Sequence, residues 1–365
     1  MRILSVATEP LEVPLVDPFV IATARVEVTP SVLVRVEVEG PRGRALGLGE
    51  AACLPPVTRE TPADVHAALR ALAPGLAGRS LAAPTAAAFG ALVGDALDGA
   101  PVARAGLQVA LLDAAARAEG RHLASLLDAG LALPRRLVSD VTLPILPIDR
   151  MVTLADGWRA RGFRTFKVKV GHDLEKDRAA LLAVAGRVPE ARFRLDANAG
   201  FTADEAVALL RACAGAGLRI ECFEQPCARE DLDGLEAVQA AVPGVPVVAD
   251  ESLRGPADLE AILARQGRIG GVNLKIVKLG GILEALAIGR RARAAGLHVM
   301  VGGMVETRLG MSTGACLAAC FDEVLTDLDT AWLLASDPFT GGYEAQGEVY
   351  TVGRGTGHGV ALAVP

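Results

Sequence analysis

The stretch Thr165-Phe166-Lys167-Val168-Lys169-Val170-Gly171 alternates apolar and basic residues and stops at a glycine. Side chains two apart on a strand share a face, so Lys167 and Lys169 project together, opposite Phe166, Val168 and Val170. Two ammonium groups side by side repel. Each favours the neutral form of the other and burial adds to this, which would free an amine base near neutral pH. A lone pair of lysines at this spacing more often marks a solvated strand face, so the rest of the chain has to decide.

The 365 residues are 51% hydrophobic and 22% charged, enough apolar material for a substantial core in one or two domains. A net charge of −6 without any Lys/Arg cluster argues against nucleic acid or an anionic membrane as partner. Aromatics at 4% leave little for base stacking. Met1–Pro10 is broken by Glu9 and Pro10 and does not read as a secretory leader. No apolar run approaches the ~18 residues of a membrane span. The expectation is a soluble, cytoplasmic protein. Cys53, Cys213, Cys222, Cys227, Cys316 and Cys320 sit in apolar surroundings without a CxxC pair and read as small buried thiols.

Residues 1–130 read as an α+β unit. Val32, Val34, Val36 and Val38 alternate as a strand does, and Glu39–Gly43 turns the chain toward Gly47-Leu48-Gly49-Glu50. No helix follows that GxG and no GxxxxGK[ST] occurs, so nucleotide-binding readings fail on context. Residues 63–72 and a long alanine-rich stretch from Pro84 to about Leu131 are helical in pattern.

From Pro134 the rhythm becomes strand, loop, helix, repeated. Candidate strands are Leu137–Leu143, Thr165–Val170, Arg192–Asp196, Ile220–Glu224, Val245–Asp250, Gly271–Val277, His298–Gly302 and Val324–Asp329. This alternation over residues 131–330 fits a closed β/α barrel better than an open sheet. The strands carry their unusual polar residues at their C-terminal ends: Lys167 and Lys169, Asp196, Glu224, Asp250, Lys275, Asp327 and Asp329. In a barrel those ends meet at one mouth.

Three carboxylates on consecutive strands, Asp196, Glu224 and Asp250, need a cation, and an all-oxygen set suits Mg²⁺. Strands two and six lie on opposite sides of an eight-stranded barrel, so Lys169 and Lys275 would face each other with the acids between them. That arrangement suits removal of a proton from a carbon α to a carboxylate and its return to the other face. Lys278, three residues beyond Lys275, is expected on the opposite strand face and therefore outside the site.

These residues resemble the enolase superfamily in its muconate-lactonizing-enzyme subgroup. TFKVKVG, RLDANAG, FEQP, ADES, NLKIVKLGG and GGMVETRLG occur in that subgroup's order and spacing across essentially the whole chain. The resemblance implies a modified TIM barrel, (β/α)7β, with an N-terminal α+β capping domain, and a segment 331–365 that returns to the cap. It implies Mg²⁺ on Asp196, Glu224 and Asp250, acid/base lysines at Lys169 and Lys275, and Lys167 on the substrate carboxylate. Asp327-Leu328-Asp329 is similar to the Asp-x-Asp element that binds the α-ammonium group in dipeptide epimerases. Paired acids would repel a muconate or a succinyl group. Thr142, Gly303 and Val305 fall where that family places substrate contacts.

The activity so implied is Mg²⁺-dependent epimerisation of a dipeptide, with o-succinylbenzoate synthase or N-succinylamino acid racemase as the alternative and a non-catalytic metal- or acid-binding barrel as the second. The small-molecule dipeptide is the expected partner, and a homo-oligomer is left open. The loop 21–28 places Ala24 where some L-Ala-D/L-Glu epimerases carry a basic residue. Arg25 could replace it after a one-residue slip, and Glu27 could instead receive a basic side chain.

Overall fold

The computed structural model describes residues 1–20, 25–55, 57–265 and 267–363; Ala24 therefore lies outside the described residues. The N-terminal unit comprises β1 (Arg2–Leu11), β2 (Pro14–Val20), β3 (Arg25–Val28), β4 (Ser31–Gly40) and β5 (Gly43–Ala52), then α1 (Pro62–Leu76), α2 (Ala86–Val93), α3 (Pro101–Glu119) and α4 (Leu123–Leu127). Strands pair antiparallel in the order β1-β4-β5, and β2 pairs with β3. The valine series expected as a strand lies in β4, with all four side chains buried. The alanine-rich stretch is interrupted at Gly94, Gly99 and Gly120, each at positive φ, and Pro101 opens α3.

Small residues let α3 lie almost on the backbone of β5. A Cβ on Gly47 would sit 2.0 Å from the Ala110 carbonyl oxygen, and one on Gly49 would sit 2.2 Å from that of Gly106. The N-terminus of α3 is capped from a distance: the Glu60 carboxylate accepts from the Val102 and Ala103 amides at 2.7 and 3.0 Å.

The chain then gives β6 (Arg135–Val138), β7 (Val141–Leu143), α5 (Ile148–Ala160), β8 (Thr165–Lys169), α6 (Leu174–Arg187), β9 (Arg192–Asp196), α7 (Ala203–Gly215) and β10 (Arg219–Glu224). It continues through α8 (Leu232–Ala241), β11 (Val247–Ala249), α9 (Pro256–Leu263), β12 (Gly271–Leu274), α10 (Ile282–Ala294), β13 (His298–Gly302), α11 (Arg308–Ala318) and β14 (Leu325–Asp327). Strands β7 to β14 are parallel neighbours in sequence order. The ring is joined between its ends by a bridge from Ser139 to Thr326 and by the Asp140 amide donating to the Thr326 carbonyl at 3.2 Å. The fold is a nearly closed (β/α)7β barrel beneath an N-terminal antiparallel sheet. Phe166, Phe193 and Phe223 face the surrounding helices, while Cys222, Val248 and Met300 fill the axis.

The expected single strand Leu137–Leu143 is two. β6 belongs to a sheet with β16 (Tyr343–Gln346) and β17 (Val349–Val352), and only β7 joins the barrel. The chain changes partners at Ser139, whose amide donates to the Glu348 carbonyl. The Glu348 carboxylate in turn takes the Arg164 and Thr165 amides at 2.8 Å and Arg192 at 2.7 Å, so this hairpin covers the N-terminal end of the barrel. β15 (Phe339–Gly341) pairs with β18 (Val360–Leu362).

Two of the joints that hold the N-terminal unit to the rest of the chain are centred on buried acids. Glu50 at the end of β5 accepts from the Thr307 hydroxyl at 2.6 Å and from the Thr307 and Gly310 amides, capping α11. Asp113 on α3, fully buried, accepts from the Leu48 and His358 amides and from Arg117. His122 packs near this second joint. Its Nδ1 accepts from the Ala124 amide, and burial, with His358 nearby, lowers its pKa to about 4, Asp113 opposing. The six cysteines are free, and no helix among the described residues is long and apolar enough to cross a membrane.

Gly47→Ala should lower stability by about 1–3 kcal/mol through overpacking, read as an earlier urea midpoint; an unmoved midpoint would mean that the helix and sheet separate freely. His122 is neutral in the folded chain down to pH about 4 but titrates near 6.5 when unfolded. Its contribution is therefore intact above pH ~6.5 and is lost as pH falls toward the folded value. His122→Asn, which keeps an acceptor for Ala124, should flatten the melting temperature against pH in that window, and an unchanged slope would exclude this histidine as a cause.

Candidate active site

Alternation along β8 turns Lys167 and Lys169 to the inside of the barrel, with Phe166 and Val168 outside. Lys167 is 1% exposed. Its Nζ lies 2.6 Å from Asp327 Oδ2, 2.7 Å from Glu224 Oε2 and 3.0 Å from Asp196 Oδ2. Lys169 Nζ donates to Asp196 Oδ2 at 2.6 Å and to Asn198 Oδ1 at 3.2 Å. Lys275 Nζ donates to Asp250 Oδ2 at 2.8 Å and stands 3.8 Å from Glu224 Oε1. Residues from six barrel strands or the turns just beyond them are thus tied into one buried network.

The neighbouring acids decide the charge of Lys167. Lys167 does not drift toward the neutral amine: burial pulls that way, but Asp196, Asp327 and Glu224 outweigh it and hold its pKa well above the ordinary lysine value. Burial likewise acts downward on Lys275 and is overcome by Asp250 and Glu224, so its pKa is raised. Burial would raise Asp196, yet Lys167, Lys169 and Lys275 bring it well below the carboxylate range. Glu224 is pushed up to about 7 by burial and then by Asp196.

Lys278 also departs from expectation. The strand ends at Leu274, and the Lys278 and Leu279 amides both donate to the Lys275 carbonyl, so the chain turns helically and residues three apart come to the same side. Lys278 therefore binds Asp250 too, through its carboxylate and its carbonyl oxygen. Asn198 and Asn273 are the other participants that the sequence reading left unassigned. Asn273 donates to Glu224 Oε1 at 2.8 Å. Asn198 lies past the end of β9 at positive φ, where strand alternation no longer says which way a side chain points, so spacing could not have flagged it.

Thr142, Gly303, Val305, Asp327 and Asp329 line one cleft with Lys167, Lys169 and Lys275, with about 470 Å³ of empty space. Asp329 Oδ2 accepts from the Thr142 amide at 2.5 Å, and the Gly303 amide donates to the Asp327 carbonyl at 3.1 Å. Burial, then Asp327, pushes Asp329 up to about 6. Phe19, Leu54 and Val57 of the N-terminal unit close the mouth, the Phe19 ring 5.8 Å from Lys169 Nζ. Arg25 and Glu27 on β3 pair with each other at 3.1 Å, both exposed. Non-glycine residues at positive φ follow β9 and β10: Asn198 (43°), Ala199 (66°) and Gln225 (33°). Such conformations cost about 1–3 kcal/mol each and tend to gather at functional sites.

Asp196, Glu224 and Asp250 offer oxygen donors from adjacent strands, and Glu224 Oε2, though near Lys167, accepts no hydrogen bond. This chemistry fits a hard divalent cation. The three are bridged by lysines; the acids whose oxygens all come within 4.8 Å of one another, among the described residues, are Asp140, Asp327 and Asp329. In that second group Asp140 is held by Arg194 through Oδ2 at 3.0 Å, Asp327 by Lys167 and Asp329 by Thr142, while Asp140 Oδ1 is buried without a hydrogen-bond partner.

Residues 3–128 match the N-terminal domain of the mandelate racemase / muconate lactonizing enzyme family, and residues 150–364 match the enolase C-terminal domain-like family. An aromatic dipeptide epimerase of Herpetosiphon aurantiacus is 36% identical over 363 residues, 98% of each chain. The structure of a substrate-liganded complex of the L-Ala-D/L-Glu epimerase from Bacillus subtilis superposes with a TM-score of 0.92 at 33% identity over 100% of both chains. A dipeptide epimerase from Methylococcus capsulatus, complexed with Mg and L-Arg-D-Lys, gives 0.90 at 32% identity, over 99% of this chain and 100% of that one. Matched in both of its parts and along its whole length, this chain belongs to the mandelate racemase / muconate lactonizing enzyme family of the enolase superfamily.

Proposed function

We propose that the protein is a Mg²⁺-dependent dipeptide epimerase, inverting the α-carbon beside the C-terminal carboxylate by two-base 1,1-proton transfer. The observation that supports this most is the placement of Lys169 and Lys275. They enter one cleft from β8 and from the end of β12, four strands apart in an eight-stranded ring, with acids between them. The named activities of the relatives agree with it.

Asp196, Glu224 and Asp250 would hold the Mg²⁺, which when bound supplies positive charge to stabilise the enediolate left by proton removal. One lysine takes the α-proton from its side of the carbon, and the lysine opposite delivers a proton to the other side, so the substrate loses one proton and gains one. Lys167, held as a cation by its neighbours, contacts the substrate carboxylate. Asp327 and Asp329 receive the N-terminal ammonium group, with Thr142, Gly303 and Val305 along the peptide. Phe19, Leu54 and Val57 keep water from the reacting carbon. In this reading residues 1–130 form the cap, 131–330 the catalytic barrel, and 331–365 the segment that ties the two together. With its thiols unpaired, we place the protein in the cytoplasm.

Lys169→Met and Lys275→Met should each lower epimerisation roughly 100-fold or more. In deuterium oxide each variant should retain α-proton exchange from only one substrate stereoisomer, a different one for each. Parental activity in both would end the two-base reading. The double variant Asp327→Asn/Asp329→Asn should damage dipeptide turnover and spare any racemisation of N-succinylamino acids. Dipeptide turnover left unchanged by the double substitution would remove the ammonium-binding role of the two acids and favour the N-succinylamino acid racemase or o-succinylbenzoate synthase reading.

A further inference from the structure

Next to the lysine and carboxylate cleft a second groove, about 1180 Å³ of empty space, opens between the N-terminal unit and the barrel. Three connections bring arginines to it: the one after β5 carries Arg59, that after β10 carries Arg229, and that after β11 carries Arg254. Two further cations in the groove are already committed, Arg104 to Glu284 at 2.7 Å and Lys278 to Asp250. Among the described residues no ion pair joins Arg59 or Arg254, and Arg229 has only the exposed Glu230, 3.9 Å away.

This surplus is not a matter of composition, because the chain has 43 acidic and 37 basic residues. The acids of the groove are Glu284, taken by Arg104, and Asp98, exposed. Arg254 registers the crowding: burial, then Arg229 and Arg59, lower its pKa from the ordinary guanidinium value. An anion would turn that mutual repulsion into attraction. The planar guanidinium fork matches a carboxylate in two parallel hydrogen bonds. The groove and the cleft share Val57, and Lys278 reaches from the groove onto Asp250, which lines the cleft. Glu251 and Asp250 oppose the lowering of the Arg254 pKa from a distance, yet among the described residues neither forms an ion pair with it, and Arg59 has no ion pair at all.

We propose that Arg59, Arg229 and Arg254 form an anion subsite that takes the side-chain carboxylate of an acidic residue in the dipeptide, making acidic dipeptides the preferred substrate class. This rests on the dipeptide epimerase reading. The test compares L-Ala-L-Glu with L-Ala-L-Gln, which differ by one charge at nearly equal shape, by deuterium incorporation with Mg²⁺ present. The parent enzyme should favour the glutamate dipeptide by about tenfold or more in kcat/KM, and Arg229→Met/Arg254→Met should erase that preference, leaving the glutamine dipeptide within about twofold. Equal losses on both dipeptides, or a preference that survives the substitutions, would overturn the subsite.

Should the double variant fail to fold, the parent enzyme still decides. Raising ionic strength from about 0.02 to 0.5 M should lower kcat/KM for the glutamate dipeptide and not for the glutamine one, and an identical salt response would overturn the subsite. Exchange into both dipeptides without preference would sink the subsite alone. Exchange into no dipeptide would sink the epimerase reading and the subsite with it.

Discussion

The ammonium group of Lys167 is the interaction on which the rest of the site depends. It is enclosed by carboxylates from β9, β10 and β14, and each of those acids has a further partner: Lys169 for Asp196, Asn273 for Glu224, and the Gly303 amide for the Asp327 backbone. A charge buried in this way without partners would cost several kcal/mol. At an effective dielectric near 20, a pair about 4 Å apart returns roughly 4 kcal/mol. The balance is tolerable only when acids and amines alternate, as they do here, and the alternation in turn fixes where every oxygen points. Preorganisation of this kind holds charged groups in place before any substrate arrives.

The barrel was legible in the sequence because its strands are buried on both sides and end in charged residues, so apolar runs stop at chemically distinctive positions. Arg192–Asp196 and His298–Gly302 were bounded correctly from pattern alone. What the pattern could not carry was partner choice. Leu137–Leu143 reads as one strand because every residue in it tolerates extended backbone, yet Ser139 hands the chain from one sheet to another through contacts with Glu348 and Thr326, some two hundred residues away in sequence. The same holds for Lys278. A period of two was assumed past Leu274, where the backbone had already turned helical, and the error placed a site lysine on the wrong side.

The order of the site residues along the chain was readable, but their electrostatics were not. Two adjacent lysines suggest mutual repulsion when only their own strand is considered. With the neighbouring strands in place, acids outnumber them locally and the sign of the effect on Lys167 reverses. The arginine groove was invisible for a related reason: Arg59, Arg229 and Arg254 come from three separate connections with no spacing rule among them. Only the packing of the N-terminal unit against the barrel, through Glu50 on α11 and α3 on α10, brings them to one place.

The returning C-terminal strands join parts made much earlier. Glu348 caps the base of β8 and β9, the His358 amide completes the shell around Asp113 on α3, and Arg117 donates to the Val360 carbonyl. The buried acid of α3 thus takes one of its donors from a residue 245 positions later in the sequence. Contacts of such long reach make the two units mutually dependent, so that loosening the closing strands weakens the helix at the other end of the chain as well.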